Sequence, residues 1–243
     1  MTDRTVLTLT GADRVDFLQG LVTNDVTRTD TAIVYAALLT PQGKYIADFF
    51  VIPQNDRLLI DVATSHAPTL AQRLSMYRLR ADVQIDASSI SVARGTGTAP
   101  DTALPDPRHP DLGWRDYSGQ AKSDATDWDA LRVQYLIPQT GMELTPDTYI
   151  LEAGFERLHG IDFKKGCYVG QEIAARMKHK TELKKGLRRV RVEGQATPGD
   201  VITSNDRPAG TLHTVSGDHA IAYLRFDRTD AMQTKSASLH LAD

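Results

Sequence analysis

Short apolar runs and turn signals alternate along the first half of the chain. Val6–Leu9 is a short strand signal. Thr10 reads as the cap of a following helix, with Asp13 in its first turn and Phe17, Leu18, Leu21 and Val22 on its apolar face. Ile33–Leu39, Tyr45–Ile52 and Leu58–Val62 are apolar strands parted by turns at Thr40-Pro41-Gln42-Gly43 and Pro53-Gln54-Asn55-Asp56. Closely spaced strands with such turns predict an antiparallel meander. Ser65 reads as the cap of a second helix, with Leu70, Leu74 and Tyr77 on one face. Pro68 falls in its first turn, where a missing N–H costs little. Asp82–Ile85 and Ile90–Ala93 are two further strand signals.

The pattern then breaks. Gly95–Asp111 holds two glycines, four prolines and almost no apolar residue, which predicts a surface loop or linker. Trp114–Tyr117 reads as a brief strand, Asp124–Ile137 as a helix, Leu151–His159 as a short helix ended by Gly160, and Gln171–His179 as a helix with Ile173, Ala174 and Met177 inward. From Gly186 onward the period is that of strands: Leu187–Val192, Val201–Ser204, Ala209–Val215, Ala220–Leu224 and Ser238–Leu241. The simplest organisation is an α+β region over 1–183 and a small terminal β-barrel or sandwich over 184–243.

Composition narrows the class. With 41% hydrophobic residues in 243, the chain can build a core, and global disorder is excluded. One cysteine excludes a disulfide scaffold and a Cys-rich zinc site. A net charge of −3 does not point to nucleic acid or an anionic membrane surface. The start, MTDRTVLTLTGADR, has no basic segment followed by an apolar one, and no apolar run reaches the roughly 18 residues of a membrane span. These features predict a cytoplasmic, soluble, reduced protein with no membrane partner. Phosphate-loop, dinucleotide, zinc-protease and nucleophile-elbow motifs are absent, which removes support for an ATPase, a dehydrogenase, a zinc protease and a serine hydrolase.

Three features carry candidate chemistry. The first is Asp162-Phe163-Lys164-Lys165-Gly166-Cys167-Tyr168-Val169-Gly170-Gln171-Glu172, with the single cysteine just before a predicted helix and beside two lysines. Both surroundings favour a thiolate, and glycines at 166 and 170 let the backbone approach a ligand. The plain alternative is a buried small hydrophobe. The second is the basic segment 176–191, with Arg176, Lys178, Lys180, Lys184, Lys185, Arg188, Arg189 and Arg191. It suits phosphates, a polyglutamate tail or an acidic partner, or is simply a solvated face. Aromatics do not interleave with it, which argues against stacked nucleic acid. The third is Glu152, either a helix-dipole partner or an acceptor for two N–H groups of a flat heterocycle such as a pterin.

Lys165-Gly166-Cys167-Tyr168-Val169-Gly170-Gln171-Glu172 resembles the signature of the YgfZ-type folate-binding proteins. These are relatives of the aminomethyltransferase (T protein) of the glycine cleavage system and of mitochondrial iron–sulfur assembly factors. The segments 17–26, 39–44 with Asp48-Phe49, 77–81, 144–147, 151–154 and Ala175-Arg176 are similar to further family blocks, in family order. The resemblance implies an aminomethyltransferase-type fold, with ferredoxin-like α+β portions around a central folate cavity and a C-terminal barrel. It implies a tetrahydrofolate-binding protein, not an ordinary enzyme, that supports assembly or repair of iron–sulfur clusters in clients such as radical-type tRNA-modifying enzymes. Glu152 would then hold the pterin, Lys164 or Lys165 the folate tail, and Cys167 would be the redox-active or cluster-contacting thiol. One cysteine cannot hold a cluster alone, so it would be a transient ligand beside a carrier or client protein.

The transferases carry an aspartate in the helix after the third strand. Here that stretch is His66-Ala67-Pro68-Thr69-Leu70, leaving Asp48 and Asp61 as the carboxylates for a tetrahydrofolate-dependent aminomethyl or one-carbon transferase, the second reading. The third is an RNA- or protein-binding adaptor using 176–191.

Overall fold

The computed structural model describes residues 3–28, 32–180 and 182–242, without the side chains of Arg28 and Lys180. The Lys180 ammonium of the basic segment and Met1-Thr2 of the start therefore lie outside the described residues. The chain divides into two compact units, Met1–Thr126 with Phe155–Ala175, and Asp127–Gly154 with Arg176–Asp243.

In the first unit, β1 (Arg4–Thr10), β2 (Val34–Leu39), β3 (Tyr45–Gln54), β4 (Arg57–Ala63) and β5 (Gln84–Ala87) form an antiparallel sheet in the order β2-β3-β4-β1-β5. Alternate residues point to opposite faces. Leu38, Phe49, Ile60 and Leu7 meet Leu18 of α1 (Arg14–Gln19) and Leu70 and Leu74 of α2 (Ala67–Arg78) in one apolar cluster. The intervening Tyr35, Asp48, Phe50 and Asp61 are buried on the other face. Covering both faces explains why these strands read as continuous apolar runs instead of an alternation.

The first helix does not begin at Thr10, which stays in β1. Asp13 occupies the cap position without capping, because its carboxylate instead accepts the Asp82 N–H at 2.8 Å. The cap position of α2 belongs to His66, since Ser65 lies in a short 3-10 turn. The turn before β4 is shorter than the four residues expected, with Gln54 still in β3.

A second, three-stranded sheet has the order β6-β8-β7, formed by β6 (Ala93–Gly95), β7 (Leu104–Pro105) and β8 (Trp114–Asp116). Gly95–Asp111 is accordingly not a surface linker. Asp106 is buried, and Arg108 donates to both of its oxygens at 3.0 and 2.8 Å. Arg115 links Asp106 to Asp61, at 2.9 Å each, and Arg4 Nε and the Tyr117 hydroxyl complete the Asp61 carboxylate at 2.6 and 2.9 Å. The Arg115 guanidinium lies 3.8 Å over the Phe50 ring, a cation–π contact. Burial alone would raise the Asp106 carboxyl, but Arg108 and Arg115 overcome it and hold it far below the carboxylate range.

In the second unit, α3 (Trp128–Tyr135) starts where the Asp127 carboxylate accepts the Ala130 N–H, and ends at a left-handed Leu136. It is shorter than the 124–137 expected, because Asp124 instead accepts the backbone N–H groups of Thr96 and Gly97. Residues 151–159 form successive turns in place of the expected helix, with left-handed backbone at Gly154 and His159. The helix α4 (Gln171–Lys180) spans the junction of the units.

The terminal strands close a barrel, β10-β11-β12-β9-β14-β13, from β9 (Lys185–Gly194), β10 (Val201–Ser204), β11 (Arg207–Ser216), β12 (His219–Arg225), β13 (Met232–Gln233) and β14 (Ala237–Leu241). Val190, Ile202, Leu212, Leu224 and Leu239 are among its interior residues. The compact second unit holds Asp127–Gly154 as well as the barrel strands. Asp127–Gly154 joins the barrel because Arg132 donates to buried Glu143 at 2.5 Å, and Glu143 accepts the Thr214 hydroxyl of β11 at 2.6 Å.

Removing one member of a buried ion pair leaves a charge uncompensated. Arg115→Met is expected to lower the unfolding free energy by about 3 kcal/mol, measured by urea denaturation. A loss below about 1 kcal/mol would show that Arg4, Arg108 and Tyr117 satisfy both aspartates without it.

Candidate functional site

The Lys165–Glu172 segment is anchored by the residue expected to serve a ligand. Lys165 is buried, and its Nζ donates to the carbonyls of Gln19, Val22 and Asn24 at 2.7, 2.6 and 3.0 Å. An ammonium has three donors, and all are used. Gln19 ends α1, where carbonyls lack helical partners, so the lysine closes that helix and ties it to the segment. Burial pulls the Lys165 ammonium down to about 8, against the opposing pull of Asp25 and Asp162.

Gly170 is required for a steric reason. Its φ is +82°, and a Cβ there would stand 2.6 Å from the Thr40 carbonyl oxygen of the β2–β3 turn. A Cβ at Gly166 would meet open space, so the glycine pair does not act as one device. Between them Cys167 is exposed, four residues before α4 begins. Lys164 is exposed, and its ammonium has no hydrogen-bond partner among the described residues.

Glu152 lies in the second unit. Its side chain is buried with 9% of the residue exposed, and its Oε2 accepts the Tyr223 hydroxyl at 2.7 Å. Its Oε1 has no hydrogen-bond partner among the described residues. The Glu152 main chain is held too, since its carbonyl accepts the Leu187 N–H at 2.9 Å. Burial and the Glu152 carboxylate together raise the Tyr223 phenol well above its ordinary range, keeping it a donor. Sequence reasoning missed Tyr223, because an aromatic in a terminal strand carries no signal of a partner 71 positions away.

The other candidate carboxylates are engaged. Asp48 accepts the Tyr35 and Tyr45 hydroxyls at 3.0 and 2.7 Å, and Asp61 sits among Arg4, Arg115 and Tyr117. The turn and first residues of α2 at His66–Leu70 hold no carboxylate. The basic segment does not form one free cationic stripe. Arg188 lies 3.8 Å over Phe226, Arg189 reaches the Gln134 carbonyl at 3.3 Å, and Arg191 stands near Glu193 and Asp218 at 3.9 and 3.8 Å.

Residues 184–243 match the family described as CAF17, C-terminal beta-barrel domain. The chain is similar to the iron–sulfur cluster assembly factor IBA57 homolog, mitochondrial, of Mycosarcoma maydis, at 30% identity over 218 residues, covering 76% of this chain and 54% of that one. It is also similar to the mitochondrial IBA57 of Mus musculus, at 27% identity, covering 91% and 75%. The chain spans about half the length of the fungal relatives it matches. The aminomethyltransferase T of the glycine cleavage system from Bartonella henselae superposes with a TM-score of 0.77 at 12% identity, over 99% of this chain and 83% of that one. The fold is therefore of the aminomethyltransferase T type, with the C-terminal barrel expected. The cytoplasmic expectation does not stand, because these relatives are named as mitochondrial. Among the described residues no helix is long and apolar enough to cross a membrane.

A lysine whose pKa is lower folded than unfolded binds fewer protons in the folded state between those two values, so its contribution to stability rises with pH there. For Lys165 the window runs from about 8 to the ordinary 10.5. The difference in unfolding free energy between wild type and Lys165→Met is expected to grow in favour of the wild type across that window in denaturant titrations. A difference that stays flat, or shrinks, would contradict the burial of this ammonium.

Proposed function

We propose that the protein binds a reduced folate and supports assembly or repair of iron–sulfur clusters in client proteins. The observation that carries the folate half is the buried Glu152 carboxylate, with one oxygen held by Tyr223 and the other open to a donor. A pterin offers an amino group and a ring N–H on one edge, and a carboxylate accepts such a pair with charge-assisted strength. Of the two candidate lysines for the folate tail, Lys164 is exposed, whereas Lys165 has no donor left to give.

The cluster half is supported by the names of the IBA57 relatives and by the exposed thiol of Cys167. In this reading Cys167 supplies one thiolate to a cluster whose other ligands come from a carrier or client protein. A segment anchored by Lys165 and Gly170 holds that thiol at the surface. The transferase reading has less support, since both of its candidate carboxylates are already occupied by protein donors. The adaptor reading has less as well, since the barrel arginines meet an aromatic ring, a carbonyl and acidic side chains.

Anaerobic calorimetric titration with tetrahydrofolate is expected to show binding by the wild type and at least tenfold weaker binding by Glu152→Ala. Equal affinities would remove Glu152 from the site, and a well-folded wild type that binds nothing would remove the folate reading. In a rescue assay of a cluster-dependent enzyme, Cys167→Ser is expected to fold normally and fail to restore activity. Full restoration would show that the thiol has no role.

A further inference from the structure

We infer that Tyr223 is a positioning residue for ligand selection: its hydroxyl holds Oε2 of Glu152 so that Oε1 faces the N–H edge of a flat heterocycle. The inference rests on reading Glu152 as the ligand carboxylate and adds what aims it. A phenol has one proton to give, and here it goes to Oε2 at 2.7 Å. Oε1 is not one of the buried side-chain atoms left without a partner among the described residues, so it is reached from solvent, and a ligand N–H would take the place of water on it.

The aim is set by a single rung of the barrel. Tyr223 on β12 and Leu187 on β9 are direct cross-strand partners. One takes the Glu152 side chain, and the other donates its N–H to the Glu152 carbonyl. Their neighbour Gly186 allows this approach, because a Cβ there would stand 2.7 Å from the same carbonyl oxygen. Main chain and side chain of Glu152 are thus fixed from one place, which leaves the carboxylate little freedom to turn. Of the charged side chains on these strands, Lys185 places its Nζ 5.5 Å from the Tyr223 ring centroid and Arg188 stacks on Phe226.

The test compares tetrahydrofolate with its 2-desamino analogue, which lacks the amino donor, on wild type and Tyr223→Phe. The phenylalanine keeps the ring and removes only the hydroxyl, and an unfolding curve verifies the fold. Wild type is expected to prefer tetrahydrofolate by tenfold or more, and Tyr223→Phe to lose most of that preference. If the two ligands weaken together, or neither weakens, Tyr223 is structural and the inference is overturned. If wild type binds neither, the folate reading fails by itself, and a ligand-free measurement decides the rest. NMR titration of ring-labelled tyrosine is expected to show the Tyr223 phenol ionising at lower pH in Glu152→Gln than in wild type. An unchanged titration would overturn the orienting contact, and a lowered one would uphold it for a ligand of another class.

Discussion

A buried carboxylate must be met by donors, and the first unit is organised around that requirement. Asp61 lies in the middle of an apolar strand, where alternation points it away from the helices. Placed there without partners, it would be among the most unfavourable residues in the molecule. Arg4, Arg115 and Tyr117 satisfy it, and Arg115 extends the network to Asp106 and so to Arg108. These partners come from β1, from the second sheet and from the proline-rich stretch before it. One charge in β4 therefore dictates where a segment without apolar residues must go. The aromatic floor of Phe50 and Tyr35 beneath the guanidiniums lets them pack as flat, weakly hydrated groups.

The same rule recurs with the signs exchanged at the candidate site. The Gln19 carbonyl at the end of α1 and the Val22 and Asn24 carbonyls just after it all take donors from the one Lys165 ammonium. The lysine most suggestive of ligand chemistry in the sequence is in this way a structural tie. It leaves Cys167 exposed on an anchored segment. In the second unit, Glu143 is satisfied by Arg132 and Thr214, whereas Glu152 is satisfied on one oxygen only. On that difference between two buried glutamates in one unit rests the proposal that Glu152 is the one that meets a ligand.

Much of the architecture was legible in the chain. The period of apolar residues, with proline and glycine at the turns, marked the meander β2 to β4, helix α2 and most of the barrel strands. These elements are local: each is set by side chains a few residues apart. The misreadings share one cause. Gly95–Asp111 has almost no apolar residue and so reads as solvent-exposed, but its Asp106 is buried against Arg108 and Arg115, and Arg115 ties it to Asp61, which lies far away in sequence. Residues 151–159 have helical composition but are interrupted by left-handed backbone. That Asp127–Gly154 packs with the barrel strands was not legible, because the Arg132–Glu143–Thr214 contact spans 82 positions at its longest.

The sequence by itself determined the α+β meander and the run of terminal strands, because periodicity and turn chemistry are written locally, and its resemblance to a family supplied the fold type and the candidate site residues. Tertiary structure alone decided what those residues do. It turned Lys165 inward to carbonyls, left Lys164 and Cys167 outward, and gave Glu152 a tyrosine from β12 on one oxygen and no partner among the described residues on the other. The physical reason is that a polar side chain's role depends on which donors and acceptors surround it after folding, and those come from strands and turns that sequence spacing does not relate.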